Sequence, residues 1–337
     1  MREFIQAVKK GKNLAQGEIE EAMQEIMSGK AAEADMADFL MALREKGPTV
    51  DEITGAARIM RKFVTGVRTK HKKILDTCGT GGDRKNTFNI STVTALVVAG
   101  AGVAVAKHGN RSISSKCGSA DVLEALGVNL HVEEERLGAC LDEVGIAFLF
   151  AQNLHPAMKK VAPVRKKLGV ETIFNILGPL TNPAMATHQI LGVYSRELVE
   201  PMAHVLKNLG LKRAVVVHGS DGLDEITTTA KTLISEYNGK EIISYDITPE
   251  EVGIKQAKES DLTGGDLPAN VKIANEILDG SKGPKRDIVL LNAAYALYIS
   301  DKVKSIEAGL KAARVSIDKG KARGKLEELK KITNSSK

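Results

Sequence analysis

Apolar side chains in the first 67 residues recur at helical spacing. Three such sets occur before residue 47: Phe4-Ile5-Val8, Ile19-Met23-Ile26-Met27 and Met36-Phe39-Leu40-Leu43. This period predicts amphipathic helices, and the glycines between the sets mark their expected boundaries, at Gly11, Gly17, Gly29 and Gly47. A further helix is predicted to begin after Thr49, because Thr49 and Glu52 have the spacing of a capping box. We expect the apolar stripe that remains on these helices to pack against the main domain or another subunit.

From Lys73 onward, short apolar runs alternate with longer helical patterns. The strand candidates are residues 74–75, 103–106, 146–150, 190–193, 214–217 and 242–243. This alternation is typical of an α/β protein with a parallel sheet and crossover helices. Ligands of such sheets bind at the carboxyl ends of the strands, so we expect the polar loops that follow these strands to meet at one edge.

The composition changes this picture in two ways. A chain of 337 residues, 43% of them hydrophobic, can bury a sizeable core and is expected to form two domains. The net charge of +6 suggests nucleic-acid binding, but Lys302–Lys337 alone contains 11 basic and 4 acidic residues, so the rest is near neutral. A charge run of that kind is usually a solvated helix face. The absence of tryptophan also argues against a stacking platform for single-stranded nucleic acid.

Cysteine usage and hydropathy limit the cellular setting. Cys78, Cys117 and Cys140 are too few and too scattered for a disulfide framework or a zinc site. Charges interrupt the first 30 residues, so no signal peptide is expected. No run of about 18 uncharged apolar residues is present, so no membrane association is expected either. These features predict a soluble cytoplasmic protein.

Three polar segments are candidates for phosphate binding. The loop at Asp76–Asp83 has three glycines in four positions, which leaves backbone amides accessible to a diphosphate, although a plain tight turn explains it equally well. At Asn89–Thr92, an N-cap at Asn89 or Ser91 would present free N–H groups, with ordinary capping as the alternative. Lys107–Asp121 offers many short donors after a buried strand, and Ser119 is expected to cap a helix that ends at Gly127.

Taken together, these segments resemble the motifs of anthranilate phosphoribosyltransferases, within the nucleoside phosphorylase/phosphoribosyltransferase superfamily. The similar motifs occur in the family's order over nearly the whole chain: GTGGD at Gly79–Asp83, NxST at Asn89–Thr92, KHGNRSISSKCGSAD at Lys107–Asp121, HPAMKKVAPVRKKLGVETIFNILGPLTNP at His155–Pro183, DGLDE at Asp221–Glu225 and LTGGD at Leu262–Asp266. The resemblance implies transfer of the phosphoribosyl group of 5-phosphoribosyl 1-pyrophosphate to anthranilate, in tryptophan biosynthesis. The resemblance implies no particular contact for the final motif, LTGGD.

The resemblance also implies site residues. Those expected to enclose phosphoribosyl pyrophosphate are Gly79, Gly82, Asp83, Thr87, Asn89, Ser91, Thr92, Lys107, His108, Gly109, Asn110, Arg111, Ser112, Ser114, Ser115 and Ser119. Those expected at anthranilate are Gly79, Asn110, His155 and Arg165, the last because a guanidinium fork matches a carboxylate. Ser91, Asp224 and Glu225 are expected to hold Mg²⁺, with two ions in all, one of them carried with the pyrophosphate. Considered alone, the acidic pair is better explained as surface residues.

The implied fold is a small all-helical domain and a large α/β domain with a mainly parallel central sheet. The expected ranges are 1–67 with a returning segment near 172–187 for the helical domain, and 73–171 with 188–337 for the α/β domain. We expect a substrate cleft between the domains that closes during the reaction. A homodimer through the N-terminal helices is also expected.

Two alternatives stay open on the sequence alone. A pyrimidine-nucleoside phosphorylase would share this fold but act on phosphate and a nucleoside; GTGGD, Arg165 and the acidic pair argue against it. An inactive relative that binds nucleic acid would have a basic groove and would lack the acidic pair. That pair is intact here, and the chain before Lys302 is near neutral.

Overall fold

Four helices form the N-terminal part of the chain in a computed structural model that describes residues 1–111 and 117–335. They are α1 (Arg2–Lys9), α2 (Gln16–Ser28), α3 (Glu33–Lys46) and α4 (Val50–Lys62). The predicted capping box is confirmed: Thr49 Oγ1 accepts from the Glu52 amide at 3.3 Å, and Glu52 Oε2 accepts from the Thr49 amide at 2.7 Å. The prediction that Gly17 marks a helix boundary is wrong, because α2 already begins at Gln16, where Glu18 accepts from the Ala15 amide.

One seven-stranded sheet organises the rest of the chain. Its strands are β1 (Leu75–Gly79), β2 (Val105–Gly109), β3 (Ile146–Phe150), β4 (His188–Gly192), β5 (Arg213–Gly219), β6 (Thr232–Tyr237) and β7 (Ile242–Ile247). They lie in the order β3-β2-β1-β4-β5-β6-β7, and the first five are parallel while β6 and β7 are antiparallel. The predicted fold class, a helical bundle with a mainly parallel α/β domain, is confirmed.

The sequence pattern missed β6. Its polar residues are paired inside the sheet: Ser235 hydrogen-bonds Ser244 at 2.7 Å, and Glu236 forms an ion pair with Arg213 at 2.9 Å. A strand whose buried positions are polar lacks the apolar run by which the other strands were recognised. Side-chain pairing across strands, rather than apolar burial alone, therefore stabilises this edge of the sheet.

Helices cover both faces of the sheet. They are α5 (Ile90–Gly100), α6 (Ser119–Ala125), α7 (Glu134–Ala139), α8 (Ala151–Leu154), α9 (Met158–Leu168), α10 (Phe174–Leu177), α11 (Val199–Asn208), α12 (Leu267–Leu278), α13 (Pro284–Ile299), α14 (Ile306–Asp318) and α15 (Lys321–Asn334). Within the described ranges, none of the helices combines the length and apolar character needed to cross a bilayer.

Two apolar cores lie on opposite sides of the sheet. The first packs α5 and α12–α15 against it, and the second joins α1–α4 to α9, α10, α11 and the other face of β4 and β5. Leu177 and Leu180 of the returning segment lie in the second core. So do Val161 and Val164 of α9, which packs against α2 and α3 although its residues were assigned to the other domain. The division of the chain into two domains at the stated residues stays a prediction.

Candidate active site

A cavity of about 440 Å³ opens at the carboxyl ends of β1, β2 and β4. The structure brings most of the sequence-predicted site residues to its wall: Gly79, Gly82, Asp83, Thr87, Asn89, Ser91, Thr92, Lys107, His108, Gly109, Asn110, Arg111, Ser119, Arg165, Asp224 and Glu225. His155 lies behind this wall. Ser112, Ser114 and Ser115 lie outside the described residues.

The glycine loop lies against the loop that carries the acidic pair. A Cβ at Gly79 would lie 2.5 Å from Asp224 Oδ2, so this approach requires glycine. The Gly81 amide donates to the same oxygen at 3.0 Å. Gly81 and Gly82 have φ of 65° and 86°, a left-handed conformation that suits glycine. The glycines therefore allow the backbone of this loop to lie directly against the Asp224 carboxylate at the cavity wall.

Helix α5 begins at this cavity, and its N-cap position is Asn89. The Asn89 side chain does not cap the helix, because its Nδ2 donates to the Cys117 carbonyl at 3.2 Å. Asn89 Oδ1 and Thr92 Oγ1 are buried and have no hydrogen-bond partner among the residues that the structure describes. Buried polar atoms are normally satisfied, so these two atoms at the cavity wall are suited to hydrogen-bond a polar ligand.

Ser119 is not a helix cap, contrary to the prediction. Helix α6 has Gly118 at its N-cap position, and the Asp121 side chain accepts from the Gly118 amide at 2.9 Å. The Ser119 hydroxyl donates instead to the Asn110 carbonyl at 3.3 Å. Asp121 accepts from the backbone amide at this helix start, so the cap does not need Ser119. The Ser119 hydroxyl instead connects the two ends of the loop that follows β2.

Lys107 is buried and crosses the strand ends. Its Nζ donates to the Thr77 carbonyl at 2.6 Å and to Ser91 Oγ at 3.1 Å. Burial lowers the pKa of the Lys107 ammonium, while the nearby carboxylates of Asp76, Glu225 and Asp224 oppose that shift. The lysine thus brings a positive charge to the wall between the glycine loop and the acidic pair.

Asp76 lies fully buried beneath this lysine, on β1. Its Oδ1 accepts from the His108 amide at 3.1 Å, and its Oδ2 accepts from Asn182 Nδ2 at 2.8 Å. The same Asn182 nitrogen donates to the Ala106 carbonyl at 2.8 Å. Burial raises the pKa of Asp76 to about 6, and these hydrogen bonds limit the rise. Asp76 and Asn182 together fix the end of β2 that carries Lys107.

Asp224 and Glu225 both face the cavity from the loop after β5. Glu225 Oε1 accepts from the Ser91 amide at 3.1 Å, which places it at the first turn of α5. Burial and the neighbouring carboxyl of Asp83 raise the pKa of Asp224 to about 7. Burial and Asp224 raise the pKa of Glu225 to about 8. The two half-buried carboxyl groups thus repel each other, and the Lys107 ammonium offsets this repulsion only in part.

This donor set fits a magnesium ion that arrives with a phosphate ligand. Mg²⁺ binds few carboxylates and keeps waters and phosphate oxygens in its shell, and a divalent cation would offset the repulsion within the pair. Asp83 interacts electrostatically with the pair. Even so, no three acidic, histidine or cysteine side chains in the described ranges converge into a complete metal site. Ser91, Asp224 and Glu225 could hold the ion only in part, and a substrate would supply the rest.

His108 and His155 form a buried pair at the side of the cavity. Their Nε2 atoms lie 3.0 Å apart. Burial, with the charges of His155 and Lys107, lowers the pKa of His108 to about 3, and burial lowers that of His155 to about 4. A hydrogen bond to the Gly178 backbone opposes the lowering of the His108 pKa. With both rings neutral, one Nε2 donates to the other, and the tautomers decide which of the two donates.

Arg165 reaches the cavity from α9. Its Nη2 donates to Asn175 Oδ1 at 3.2 Å, and its guanidinium lies 5.7 Å from the centre of the Phe174 ring. Burial alone lowers the pKa of Arg165, so no charged neighbour within the described residues compensates it. A half-buried guanidinium without a carboxylate partner is suited to bind the carboxylate of a ligand.

Arg111 has its charge already paired. Its Nη1 lies 2.7 Å from Asp121 and 2.8 Å from Glu124, and its guanidinium also lies 5.6 Å from the centre of the Phe150 ring. In this conformation Arg111 lines the rim but does not present a free guanidinium to the cavity. Its predicted contact with phosphoribosyl pyrophosphate stays a prediction.

The sequence reasoning missed several wall residues. Glu171, Asn175 and Tyr194 line the cavity together with Arg84 and Asn86 of the glycine loop. Tyr194 follows β4 closely, and its amide donates to Thr80 Oγ1 at 3.1 Å. The rule that ligands gather at strand ends could have identified Tyr194. Glu171 and Asn175 carry no comparable signal, because they reach the cavity through the packing of α9 and α10.

Comparisons with known proteins support this geometry. A family profile described as "Glycosyl transferase family, a/b domain" matches residues 71–323, and one described as "Glycosyl transferase family, helical bundle domain" matches residues 2–64. An anthranilate phosphoribosyltransferase of Symbiobacterium thermophilum is 52% identical over 334 residues, with 99% of this chain and 98% of that protein covered. The same enzyme of Acetivibrio thermocellus is 53% identical over 335 residues, with 99% and 97% covered.

The chain belongs to the anthranilate phosphoribosyltransferase family. The family predicted from the motifs and the prediction of an enzyme are thereby confirmed. The relatives do not support the alternatives of a nucleoside phosphorylase or an inactive relative.

Solved structures of the family share the whole fold. The anthranilate phosphoribosyltransferase of Thermus thermophilus has a TM-score of 0.94 at 43% identity, with 98% of this chain and 99% of that chain covered. The Saccharomyces cerevisiae enzyme in complex with PRPP and Mg has a TM-score of 0.88 at 29% identity, covering 96% and 94%. The yeast enzyme in complex with 4-fluoroanthranilate has a TM-score of 0.88 at 27% identity, covering 98% of each chain.

Proposed function

We propose that this chain transfers the phosphoribosyl group of 5-phosphoribosyl 1-pyrophosphate to the amine of anthranilate, in tryptophan biosynthesis. The products are N-(5-phosphoribosyl)anthranilate and pyrophosphate. One observation carries the proposal: phosphate-type donors, an acidic pair and the uncompensated Arg165 guanidinium all line one cavity. The names of the relatives and the ligands of the yeast structures agree with it.

The sugar donor binds, in this proposal, along the glycine loop and the start of α5. The backbone amides near Gly82 and the first turn of α5 offer donors to phosphate oxygens. Asn89 Oδ1 and Thr92 Oγ1 are the buried atoms that a ribose phosphate would satisfy. Lys107 lies between these segments and would stabilise the leaving diphosphate. The remaining predicted donors, Ser112, Ser114 and Ser115, keep their proposed role without a structural argument.

Anthranilate binds between Arg165 and the end of β2. The guanidinium takes the carboxylate, and Asn175 and Phe174 hold that guanidinium in place. Asn110 lines the same cavity, and its Oδ1 accepts from the Arg111 amide at 2.8 Å, which leaves its Nδ2 available as a donor. The proposed role of His155 at anthranilate is indirect, because its ring contacts His108 and does not line the cavity.

The reaction is a substitution at C1 of the ribose. The amine nitrogen forms a bond to C1 as the C1–O bond breaks, and the bonding electrons leave with pyrophosphate. An aromatic amine is neutral and nucleophilic at pH 7, so its proton can pass to solvent or pyrophosphate without a dedicated strong base. The histidine pair is not a free base, because its two Nε2 atoms already hydrogen-bond each other.

Catalysis then comes from placement and charge. The cavity wall holds both reactants close, and Lys107 and the backbone amides stabilise charge on the departing diphosphate. When bound, Mg²⁺ supplies further positive charge to the diphosphate. Ser91, Asp224 and Glu225 are the proposed protein ligands, and we propose two ions in all, one of them carried with the pyrophosphate.

The first test is the fluorescence of anthranilate mixed with the protein, phosphoribosyl pyrophosphate and Mg²⁺. We expect a loss of fluorescence that needs the metal and proceeds together with pyrophosphate release. A metal-free sample is the control. No change at saturating substrates would contradict the proposed reaction, and phosphorolysis of thymidine or uridine would then be assayed.

The N-terminal helices expose apolar surface that is suited to contact a second copy of the chain. We propose a cytoplasmic homodimer that forms through the N-terminal helices. Met1, Phe4 and Ala7 at α1 and its N-cap, and Ala37 of α3, are only partly buried in the single chain, so apolar surface remains there. Light scattering of Phe4→Glu should show a monomer where the unchanged protein shows a dimer. A monomeric unchanged protein would contradict the proposed assembly.

A further inference from the structure

The LTGGD segment, Leu262–Asp266, lies against the far end of the glycine loop. Thr263 forms a β-bridge with Thr87, and the Gly264 amide donates to the Asn86 carbonyl at 2.9 Å. A Cβ at Gly264 would lie 2.7 Å from the Phe88 nitrogen. The two backbones therefore touch at a place where a side chain does not fit. This contact closes the loop that carries Gly82, Asp83 and Thr87.

Asn270 of α12 holds this segment from beneath. Its side chain is buried, with 4% exposure, and it forms hydrogen bonds with both backbone groups of Gly265. Asn270 Oδ1 accepts from the Gly265 amide at 3.3 Å, while Asn270 Nδ2 donates to the Gly265 carbonyl at 3.1 Å. An amide that satisfies both backbone groups of one residue fixes that residue's position and orientation.

The Asn270 side chain also interacts with Cys117, which belongs to the Lys107–Asp121 segment that follows β2. Burial raises the pKa of the Cys117 thiol, and a hydrogen bond with the Asn270 side chain opposes that rise. The Cys117 carbonyl accepts from Asn89 Nδ2 at 3.2 Å. Cys117 stands two residues before Ser119, where α6 begins, and α12 packs against α6 and α5. The buried Asn270 side chain thus connects the LTGGD segment, which contacts the glycine loop, to the start of α6.

We propose that Asn270 is a positioning residue for phosphoribosyl pyrophosphate. It acts through the backbone of Gly265 and the side chain of Cys117, and it sets the spacing between the two loops that enclose the sugar donor. The inference rests on the proposed function of those loops. It also assigns a role to LTGGD: the segment is the support on which the glycine loop rests.

Steady-state kinetics of Asn270→Ala test the proposal. We expect the KM for phosphoribosyl pyrophosphate to rise roughly three- to tenfold, the effect of about one lost hydrogen bond. The KM for anthranilate should stay within about twofold, because Arg165 and Asn175 lie on another element. Asn270→Ser keeps one hydroxyl for Gly265 and should give an intermediate KM. Gly264→Ala disturbs the same contact from the other side and should raise the same constant.

Asn275→Ala is the matched control on the same helix. Asn275 Oδ1 accepts from Arg323 Nη1 at 2.7 Å, and the residue has no part in the loops. Its loss should lower the melting temperature and leave both KM values unchanged. A purely structural role for Asn270 would lower Vmax and the melting temperature with both KM values unchanged, and that result would overturn the proposal. An equal rise of both KM values, or the same KM shift in the control, would overturn it too.

Failure of the proposed function gives a different result. In that case the unchanged protein does not consume anthranilate, whatever residue 270 is. Titration calorimetry with phosphoribosyl pyrophosphate and Mg²⁺ supplies a second readout. The dissociation constant should rise for Asn270→Ala and Gly264→Ala but not for Asn275→Ala. Equal affinity in all four proteins would overturn the inference.

Discussion

His108 Nε2 lies 3.0 Å from His155 Nε2, and the two rings are buried together with neutral charge. Protonation of both Nε2 atoms would replace this hydrogen bond with a contact between two N–H groups. The pKa of His108 falls to about 3 and that of His155 to about 4, against an ordinary value of 6.5. Between those values the unfolded chain binds more protons than the folded one.

The free energy of unfolding should therefore decrease as the pH falls from about 6.5 towards 4. The contribution of the pair is complete above pH 6.5 and is lost through the folded pKa values, with a slope of at most about 1.4 kcal/mol per pH unit for each histidine. His155→Gln keeps a hydrogen-bond partner for His108. The slope of the unfolding free energy against pH should fall by the amount that corresponds to about one bound proton. Urea unfolding at several pH values measures it, with exposed His204→Gln as the control. Equal slopes in all three proteins would contradict the prediction.

Arg165→Ala should weaken anthranilate far more than the sugar donor. A charge-assisted, forked hydrogen bond is lost, so the KM for anthranilate should rise roughly 10- to 100-fold. Arg165→Lys keeps the charge without the fork and should recover only part of the affinity. Lys166→Ala, an exposed cation on the same helix, is the control for electrostatic steering. Equal effects of Arg165→Ala on both KM values would refute the assignment.

Asp224→Asn combined with Glu225→Gln should remove activity together with its Mg²⁺ dependence. The loss should be ~100-fold or more, because the metal's charge at the diphosphate depends on these ligands. Neutral residues also relieve the repulsion between the two half-buried carboxylates, so thermal stability should not fall. Glu133→Gln with Glu134→Gln, an adjacent acidic pair at the start of α7, serves as the control. Full activity in the first double variant would place the metal elsewhere.

Gly79→Ala should damage the same site through the backbone. The new methyl group would meet Asp224 Oδ2, so the carboxylate must move away from the Gly81 amide. We expect activity to fall about tenfold and the Mg²⁺ concentration for half-maximal activity to rise. Gly324→Ala is the control in α15, where the added Cβ meets no atom within 4 Å. It should stabilise the protein by about 0.5–1 kcal/mol without changing activity. An unchanged Mg²⁺ requirement in Gly79→Ala would contradict this account.

The sequence identified the residues whose chemistry is concentrated locally. Three glycines in a row of four, or a lysine after a buried strand, carry their own signal. Asn175 does not, because it is a single residue that the packing of separate elements brings to the cavity, and only its place after β4 marks Tyr194. Strand β6 was missed for a related reason, since Glu236 is buried only because Arg213 pairs with it. Partners that are distant along the chain determine such residues, and local periodicity does not contain them.

Asn182 bonds the returning segment to both Asp76 of β1 and the Ala106 carbonyl of β2, one residue before Lys107. The segment carries Leu177 and Leu180 of the second core, so the helical bundle is pinned to the sheet directly beneath the lysine. A pinned junction allows rotation but resists translation. Sliding of the bundle across the sheet would break both hydrogen bonds of Asn182 and remove the contact beside Lys107.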